Sequence, residues 1–411
     1  MLPANHPYSP EEVLPPVPLP LPSEEADAIP VSEVLSPPLP NPALAVSLPR
    51  LILGCGPFGY GIYAPAEEVR TTMPARIVRA ALRAGMTAFD TAPHYHPSEM
   101  ILGHALAAVR DEYPRESYVL ITKAGKYGAK LADHDYAPEV IRASVERSLR
   151  RLQTDYLDVV YLHDVEFIAD APPAQGTHLD ALADDAGAAK YHLNAHTPLG
   201  AGDEAVLAAL GALRDLKVQG KIRAIGMAGY PLPTLLRLCR LAQAAGHAVD
   251  VVQSYAHQTV LCSTLAPFLP AFEAAGVVQV VNAAPLSMGL LTSHGGPDWH
   301  PAKYIPAMYE ATREAVVLAR ECGSSIEDVA CAFGYRPLTM GNGANVPVVI
   351  GCTDLAQLHA TLRAYAEVNG GIGSDATEAT KAREIEEAMV KLFQERGVHN
   401  VSWRSPAPKD M

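Results

Sequence analysis

Between residues 48 and 368 the chain alternates two hydrophobic patterns. One is the short β-branched run in which nearly every position is apolar; the other is a longer stretch with apolar residues three or four apart. The first predicts strands buried on both faces, the second amphipathic helices. Strand candidates follow in order: LILGC (51 to 55), MTAFD (86 to 90), YVLITK (118 to 123), LDVVYLH (157 to 163), IRAIGM (222 to 227), DVVQS (250 to 254), VVQVVNA (277 to 283) and VPVVIG (346 to 351). Helical patterns come after them at 75–84, 98–109, 138–152, 203–219, 232–246, 261–275, 306–321 with 325–334, and 354–367. Eight such units are the number that closes a parallel barrel, so the expected fold is α/β, a (β/α)8 TIM barrel over residues 47–373.

Three segments fall outside the alternation. Residues 1–46 are rich in Pro, Glu and Ser and have no period that buries one face, which reads as a disordered or loosely docked arm. Its PPVPLPLP run has the composition of a polyproline II ligand for an SH3-like partner. Between His163 and Asp203 lies FIADAPPAQGTHLDALADDAGAAKYHLNAHTPLGAG, far longer than the usual connection after a strand. Composition favours disorder for the middle of this loop; position, just past the fourth strand, favours substrate contact for its start. Residues 374–411 carry one amphipathic helix, EATKAREIEEAMVKLFQERG, and a tail, expected to pack outside the barrel.

An apolar fraction of 49% supplies a large core, and a net charge of −13 argues against a nucleic-acid partner. No apolar stretch approaches the roughly 20 residues that cross a bilayer, and MLPANHPYSPEEV is unlike a secretory leader. The six cysteines are scattered, without C-x-x-C or zinc spacing, so no metal site is expected and the thiols read as reduced and cytoplasmic.

Chemistry concentrates where strands end, which is where such barrels keep it. Asp90 and Tyr95 lie in FDTAPHYHPSE, Lys123 closes YVLITK and His163 closes LDVVYLH. Singly, Asp90 reads as a helix cap, Lys123 as a surface charge and His163 as a loop histidine; the three motifs in this order are the signal. Together they make a proton-transfer site. Tyr95 carries the proton, Lys123 lowers its pKa by favouring the phenolate, Asp90 holds the lysine, and His163 donates to the substrate oxygen.

These segments resemble the catalytic tetrad of the aldo-keto reductases, and the likeness extends over residues 49 to 368. It implies a nicotinamide dinucleotide across the mouth of the barrel. Gln253 would hold its carboxamide, while Gly226-Met227-Ala228-Gly229 stands where many relatives have a serine or asparagine. Pro285, Leu286, Ser287 and Gly289 resemble the pyrophosphate loop, with a stacking tyrosine of many relatives replaced by Ala283. After the eighth strand, Gly351, Thr353 and Gln357 stand where users of NADPH carry a Lys-Ser pair and an Arg. A 2′-phosphate is ordinarily met by such cations, so NAD is the expected cofactor, with NADP open if another loop supplies a base.

Leu162-His163-Asp164-Val165-Glu166-Phe167 and APLSMGLLT narrow the likeness to the D-arabinose and L-galactose dehydrogenase branch, whose chemistry leads toward ascorbate or erythroascorbate. This implies oxidation of an aldose at C1 to the aldono-1,4-lactone. Asp164 and Glu166 would accept from sugar hydroxyls, or else cap the loop. A broad NADPH-dependent aldehyde or ketone reductase and a weakly catalytic nucleotide-binding interaction protein are the alternatives.

Overall fold

In a computed structural model of the chain, which describes residues 2–38, 40–63, 65–170, 176–370 and 376–407, all eight apolar runs are strands. They are β1 (Leu51–Gly54), β2 (Ala88–Asp90), β3 (Val119–Ala124), β4 (Leu157–His163), β5 (Ile222–Gly229), β6 (Val251–Tyr255), β7 (Gln279–Ala283) and β8 (Val348–Gly351). Each pairs in parallel with the next, and β1 meets β8 from Leu51↔Val348 to Gly54↔Gly351, closing the barrel. Helices Met73–Arg83, Ser98–Ala108, Pro138–Arg151, Ala201–Val218, Leu232–Ala244, Leu265–Ala274, Pro306–Glu321 with Ile326–Tyr335, and Leu355–Val368 surround it. The expected (β/α)8 barrel is the fold.

The pleat explains why the strands are apolar throughout. Side chains alternate across a strand. Ile52, Ile121, Val159, Tyr161, Val251 and Val349 fill the barrel, while their neighbours Leu53, Leu120, Val160, Leu162, Val252 and Ile350 pack outward under the helices. Nearly all of these positions are shut away from water and so are apolar, and the buried charges among them, Asp158 and Lys123, are paired.

Among its described residues the proline-rich arm has no regular element beyond the turns Glu25–Asp27 and Val31–Glu33, as its composition implies, yet those residues are laid along the barrel. Leu44, Val46 and Leu48 plug the end away from the strand C-termini. Buried Asp27 pairs with Arg76 at 3.0 Å and Arg79 at 3.4 Å, and Glu11 pairs with Arg147 at 3.0 Å and with Arg151. Glu33 meets His359 and Arg363. Leu14, Val17 and Leu21 of the proline run pack on the core, while Pro15, Pro16, Pro18 and Pro20 face solvent, and nothing in the structure supports an SH3-like partner. The arm has too little apolar surface to fold alone and is ordered by surface and charge on the helices.

The loop after β4 is likewise more structured than its composition predicts, although residues 171–175 lie outside the described residues. Short helices Asp180–Ala183 and Asp185–Lys190 bury His178, Tyr191 and Leu193. Its far end is fixed by Asp203, fully buried, which takes two bonds from buried Arg237 at 2.6 and 2.9 Å and accepts from the Asp170 and Leu199 amides. The helix Ala376–Glu395 lies on Pro306–Glu321 and Ile326–Tyr335 through Ile385, Met389 and Phe393. The tail beyond it then returns to the barrel mouth, where Trp403 stacks on Tyr230 at 4.3 Å. Among the described residues no helix is long and apolar enough to cross a membrane.

Removing one partner of a buried ion pair leaves the other charge desolvated and unpaired, at about 3–5 kcal/mol. Arg237→Ala is therefore expected to destabilise the fold by that amount, read as a shifted urea midpoint. Arg240→Ala, whose residue only donates to the Leu193 carbonyl, should cost far less.

Candidate active site

Asp90 ends β2, Lys123 lies near the end of β3, and His163 ends β4. The Lys123 ammonium and the Asp90 carboxylate are in direct contact, 2% and 3% exposed. Such a pair survives burial only when its remaining hydrogen-bonding capacity is met. Here Lys123 Nζ also donates to the Thr91 carbonyl at 3.1 Å, and Gln253 Nε2 donates to Asp90 Oδ2 at 3.0 Å.

Tyr95 rides on the turn Pro93–Tyr95, which nearby polar contacts hold down. Ser98 Oγ lies 2.8 Å from Thr91 Oγ1 and donates to the Cys55 carbonyl at 2.6 Å, and the Tyr60 amide donates to the His96 carbonyl at 3.0 Å. Lys123 Nζ stands 5.0 Å from the Tyr95 ring centre, and the His163 ring meets it edge-on at 5.6 Å. The four side chains expected from sequence thus converge at one mouth. His94 joins them, its ring 5.7 Å from those of both Tyr95 and His163.

Burial, then the charges of Lys123 and Lys126, hold His163 well below the ordinary histidine range. It is neutral at pH 7 and carries a single N–H, and its Nδ1 has no hydrogen-bond partner among the described residues. Burial pushes the Tyr95 phenol well above its ordinary value, and Asp90 and Asp164 act in the same direction. The expectation that Lys123 brings the phenol down is revised: Asp90 partners the ammonium, and desolvation dominates.

A cavity of about 1560 Å³ covers these groups. Its wall runs from Lys126, Asp164 and Phe167 on the β3–β4 side to Leu286, Gly289, Gly351, Thr353 and Gln357 on the β7–β8 side.

Residues 50–369 match the sequence profile of the Aldo/keto reductase family. The chain belongs to this family. It is 32% identical to the L-galactose dehydrogenase of Arabidopsis thaliana, over 88% of this chain and 97% of that one. It is 30% identical to the D-arabinose 1-dehydrogenase of Saccharomyces cerevisiae, over 81% and 87%. Among solved structures, a glycerol dehydrogenase from Gluconobacter oxydans superposes with a TM-score of 0.53 at 21% identity, covering 89% of this chain and 96% of that one, a likeness of fold.

Aldo-keto reductases generally use nicotinamide cofactors, and the β7–β8 side has the form of a cradle for one. Ala284, Ser287 and Met288 take φ of 54°, 50° and 54°, and Gly289 follows at 89°. Three non-glycine residues in the left-handed region cost on the order of 1–3 kcal/mol each. They curl the loop so tightly that the Ser287 and Gly289 amides donate back to Ala284 and Leu286, at 2.8 and 3.0 Å. Of the four residues expected here, Leu286 and Gly289 face the cavity. Pro285 and Ser287 do not: Pro285 packs on Gly334, and Ser287 is fully buried with its carbonyl against His300 Nε2 at 2.9 Å. Gln253 lines the cavity, but its amide nitrogen serves Asp90.

At the β8 end, a side chain on Gly351 would stand 2.6 Å from the Pro57 ring, so no lysine fits there without moving β1's loop. The Thr353 amide donates to Gln357 Oε1 at 3.0 Å, and Asp354 caps Leu355–Val368 through the Gln357 amide at 2.8 Å. The cavity-facing residues between 349 and 364 include no Lys or Arg.

The two acidic candidates separate. Asp164, held at φ 52°, faces the cavity and pairs with Lys126 at 2.6 Å. Glu166 does not face it. Its Oε1 accepts from the Tyr230 amide at 3.0 Å and Ser405 Oγ at 2.8 Å, so this carboxyl anchors the C-terminal tail instead of meeting substrate. Lys126 and His94 were missed in sequence although each neighbours a tetrad residue. Trp403, Arg404 and Ser405, also in the wall, carried no local signal, because only the returning tail brings them there.

Burial, with Asp164 beside it, pushes Glu166 up to about 8. The folded protein holds this proton while the unfolded chain, near 4.5, releases it. Stability from this group is therefore whole below pH 4.5 and lost as pH rises to about 8. Thermal melts across that window should show wild type declining relative to Glu166→Gln, by at most about 1.4 kcal/mol per pH unit.

Proposed function

We propose that this aldo-keto reductase is an NAD-dependent aldose 1-dehydrogenase, oxidising a sugar of the D-arabinose or L-galactose type at C1 to the aldono-1,4-lactone. The observation that carries the reading is likeness over nearly the full chain to two sugar dehydrogenases, joined to a converged Asp90–Tyr95–Lys123–His163 set. The preference for NAD rests on Gly351, Thr353 and Gln357: no cation faces the cavity along 349–364, and Pro57 closes the position a lysine would take.

Leu286, Gly289, Thr353 and Gln357 would hold the dinucleotide, which supplies the hydride acceptor when bound. The chain's own part is to place the sugar and move one proton. The C1 hydroxyl oxygen sits between Tyr95 Oη and His163, whose neutral ring donates to it. Tyr95, as the phenolate, takes the hydroxyl proton as hydride leaves C1, and in the reverse reaction the resulting phenol returns it. Lys123, fixed by Asp90, keeps positive charge near the phenolate that accepts the proton. Asp164, tethered by Lys126, accepts from a ring hydroxyl. A phenol held high by burial favours the protonated form, so oxidation should speed up as pH rises from neutral into the alkaline range, and reduction should slow.

Initial rates of NADH formation with D-arabinose and L-galactose, with NADP⁺ in parallel, test the reading. Turnover with NAD⁺ and little with NADP⁺ is expected. Silence with every aldose, together with NADPH-dependent reduction of simple aldehydes, would replace it with the broad reductase. Tyr95→Phe should retain dinucleotide binding by fluorescence titration and lose turnover by about 10²–10⁴-fold; near-wild-type rates would remove Tyr95 as the proton carrier.

A further inference from the structure

Residues 2–12 run past the barrel wall, and Ala4 and Asn5 reach its mouth. Ala4 and Asn5 line the cavity together with Lys126 and Ala129, on the side away from the β7–β8 loops. His6 seats them: its ring lies 5.1 Å from that of Tyr127, its Nε2 is 3.5 Å from Asp135 Oδ2, and its carbonyl accepts from Arg147. Asn5 Oδ1 is shielded from solvent and has no hydrogen-bond partner among the described residues. A buried amide oxygen without a partner is costly, and a ligand hydroxyl at this wall would satisfy it.

Farther along the arm, Glu12 is bound on both oxygens. Oε2 lies 2.7 Å from His96 Nε2, while Oε1 accepts from Tyr60 OH at 3.2 Å and Arg70 Nη2 at 3.1 Å. His96 directly follows Tyr95, and its carbonyl accepts from the Tyr60 amide. One carboxylate from the arm therefore ties the β1 loop to the turn that carries the proton-transferring tyrosine.

We propose that the N-terminal arm is part of the substrate site: Asn5 binds a hydroxyl of the sugar, and Glu12 is a positioning residue for Tyr95. The assignment of Asn5 rests on the sugar reading above; that of Glu12 holds for any carbonyl substrate, because it concerns only where the phenol stands. An aim error of about 1 Å costs up to about 10²-fold in rate, and one hydrogen bond to a substrate hydroxyl is worth about tenfold in affinity.

The test uses full-length wild type, Asn5→Ala, Glu12→Ala and Glu12→Gln. Each is assayed with L-galactose and D-arabinose, with a small aldehyde lacking sugar hydroxyls, and for dinucleotide binding and melting temperature. Asn5→Ala is expected to raise the sugar KM about tenfold while leaving kcat, the aldehyde KM and dinucleotide affinity at wild-type values. Glu12→Ala should lower kcat about tenfold on sugar and aldehyde alike with unchanged dinucleotide affinity, and Glu12→Gln, whose amide still meets His96 and Tyr60, should restore most of it. An unchanged sugar KM in Asn5→Ala, or a wild-type kcat in Glu12→Ala with only a lower melting temperature, overturns the corresponding role. A wild-type enzyme that reduces the aldehyde but oxidises no aldose overturns the sugar reading and Asn5's role with it, and the Glu12 variants then decide the positioning role on the aldehyde alone.

Discussion

A buried ammonium is the constraint around which the mouth of this barrel is built. Lys123 lies almost wholly out of water, and its charge is tolerable only because Asp90 touches it and the Thr91 carbonyl accepts from it. Asp90 in turn needs Gln253 on its second oxygen. Satisfying one charge thus ties the ends of β2, β3 and β6 together, and Tyr95 and His163 are placed around that fixed point. Burial is what raises the Tyr95 phenol, with Asp90 and Asp164 acting in the same direction, although the ammonium stands 5.0 Å from its ring centre.

Charge also organises the outside. The helices Met73–Arg83 and Pro138–Arg151 each present buried arginines, Arg76 and Arg79 on the first and Arg147 and Arg151 on the second, Arg151 also pairing with Glu99 of the barrel. The arm brings Asp27 and Glu11 to them, so segment and barrel complete each other. The C-terminal tail does the same at the mouth, where Ser405 meets the Glu166 carboxyl and Trp403 covers Tyr230. Both ends of the chain therefore build walls of a cavity whose floor belongs to the strands.

That division separates a floor set by the strands from a rim supplied by other segments. Asp90, Lys123 and His163 stand at strand ends, and Tyr95 on the turn that follows β2. The polar wall residues Asp164, Lys126 and the arm's Asn5 come from connections and from the arm. On the β7–β8 side the loop from Ala284 to Gly289 is strained, and a side chain on Gly351 would meet the Pro57 ring.

By itself the sequence determined the barrel, its eight strands nearly to the residue, and the tetrad, because each is encoded locally. A strand buried on both faces must be apolar along its length, and Asp90, Tyr95, Lys123 and His163 sit beside such runs in short motifs. Only the tertiary structure decided that Glu166 turns away from the cavity while Asp164 faces it, since a backbone at φ 52° separates two residues that look alike in sequence. It also decided that the described residues of the arm and of the β4 loop pack on the barrel. Composition counts the apolar surface a segment owns, whereas Asp27, Glu33 and Asp203 find their partners 49, 326 and 34 residues away, in charges displayed by helices already folded.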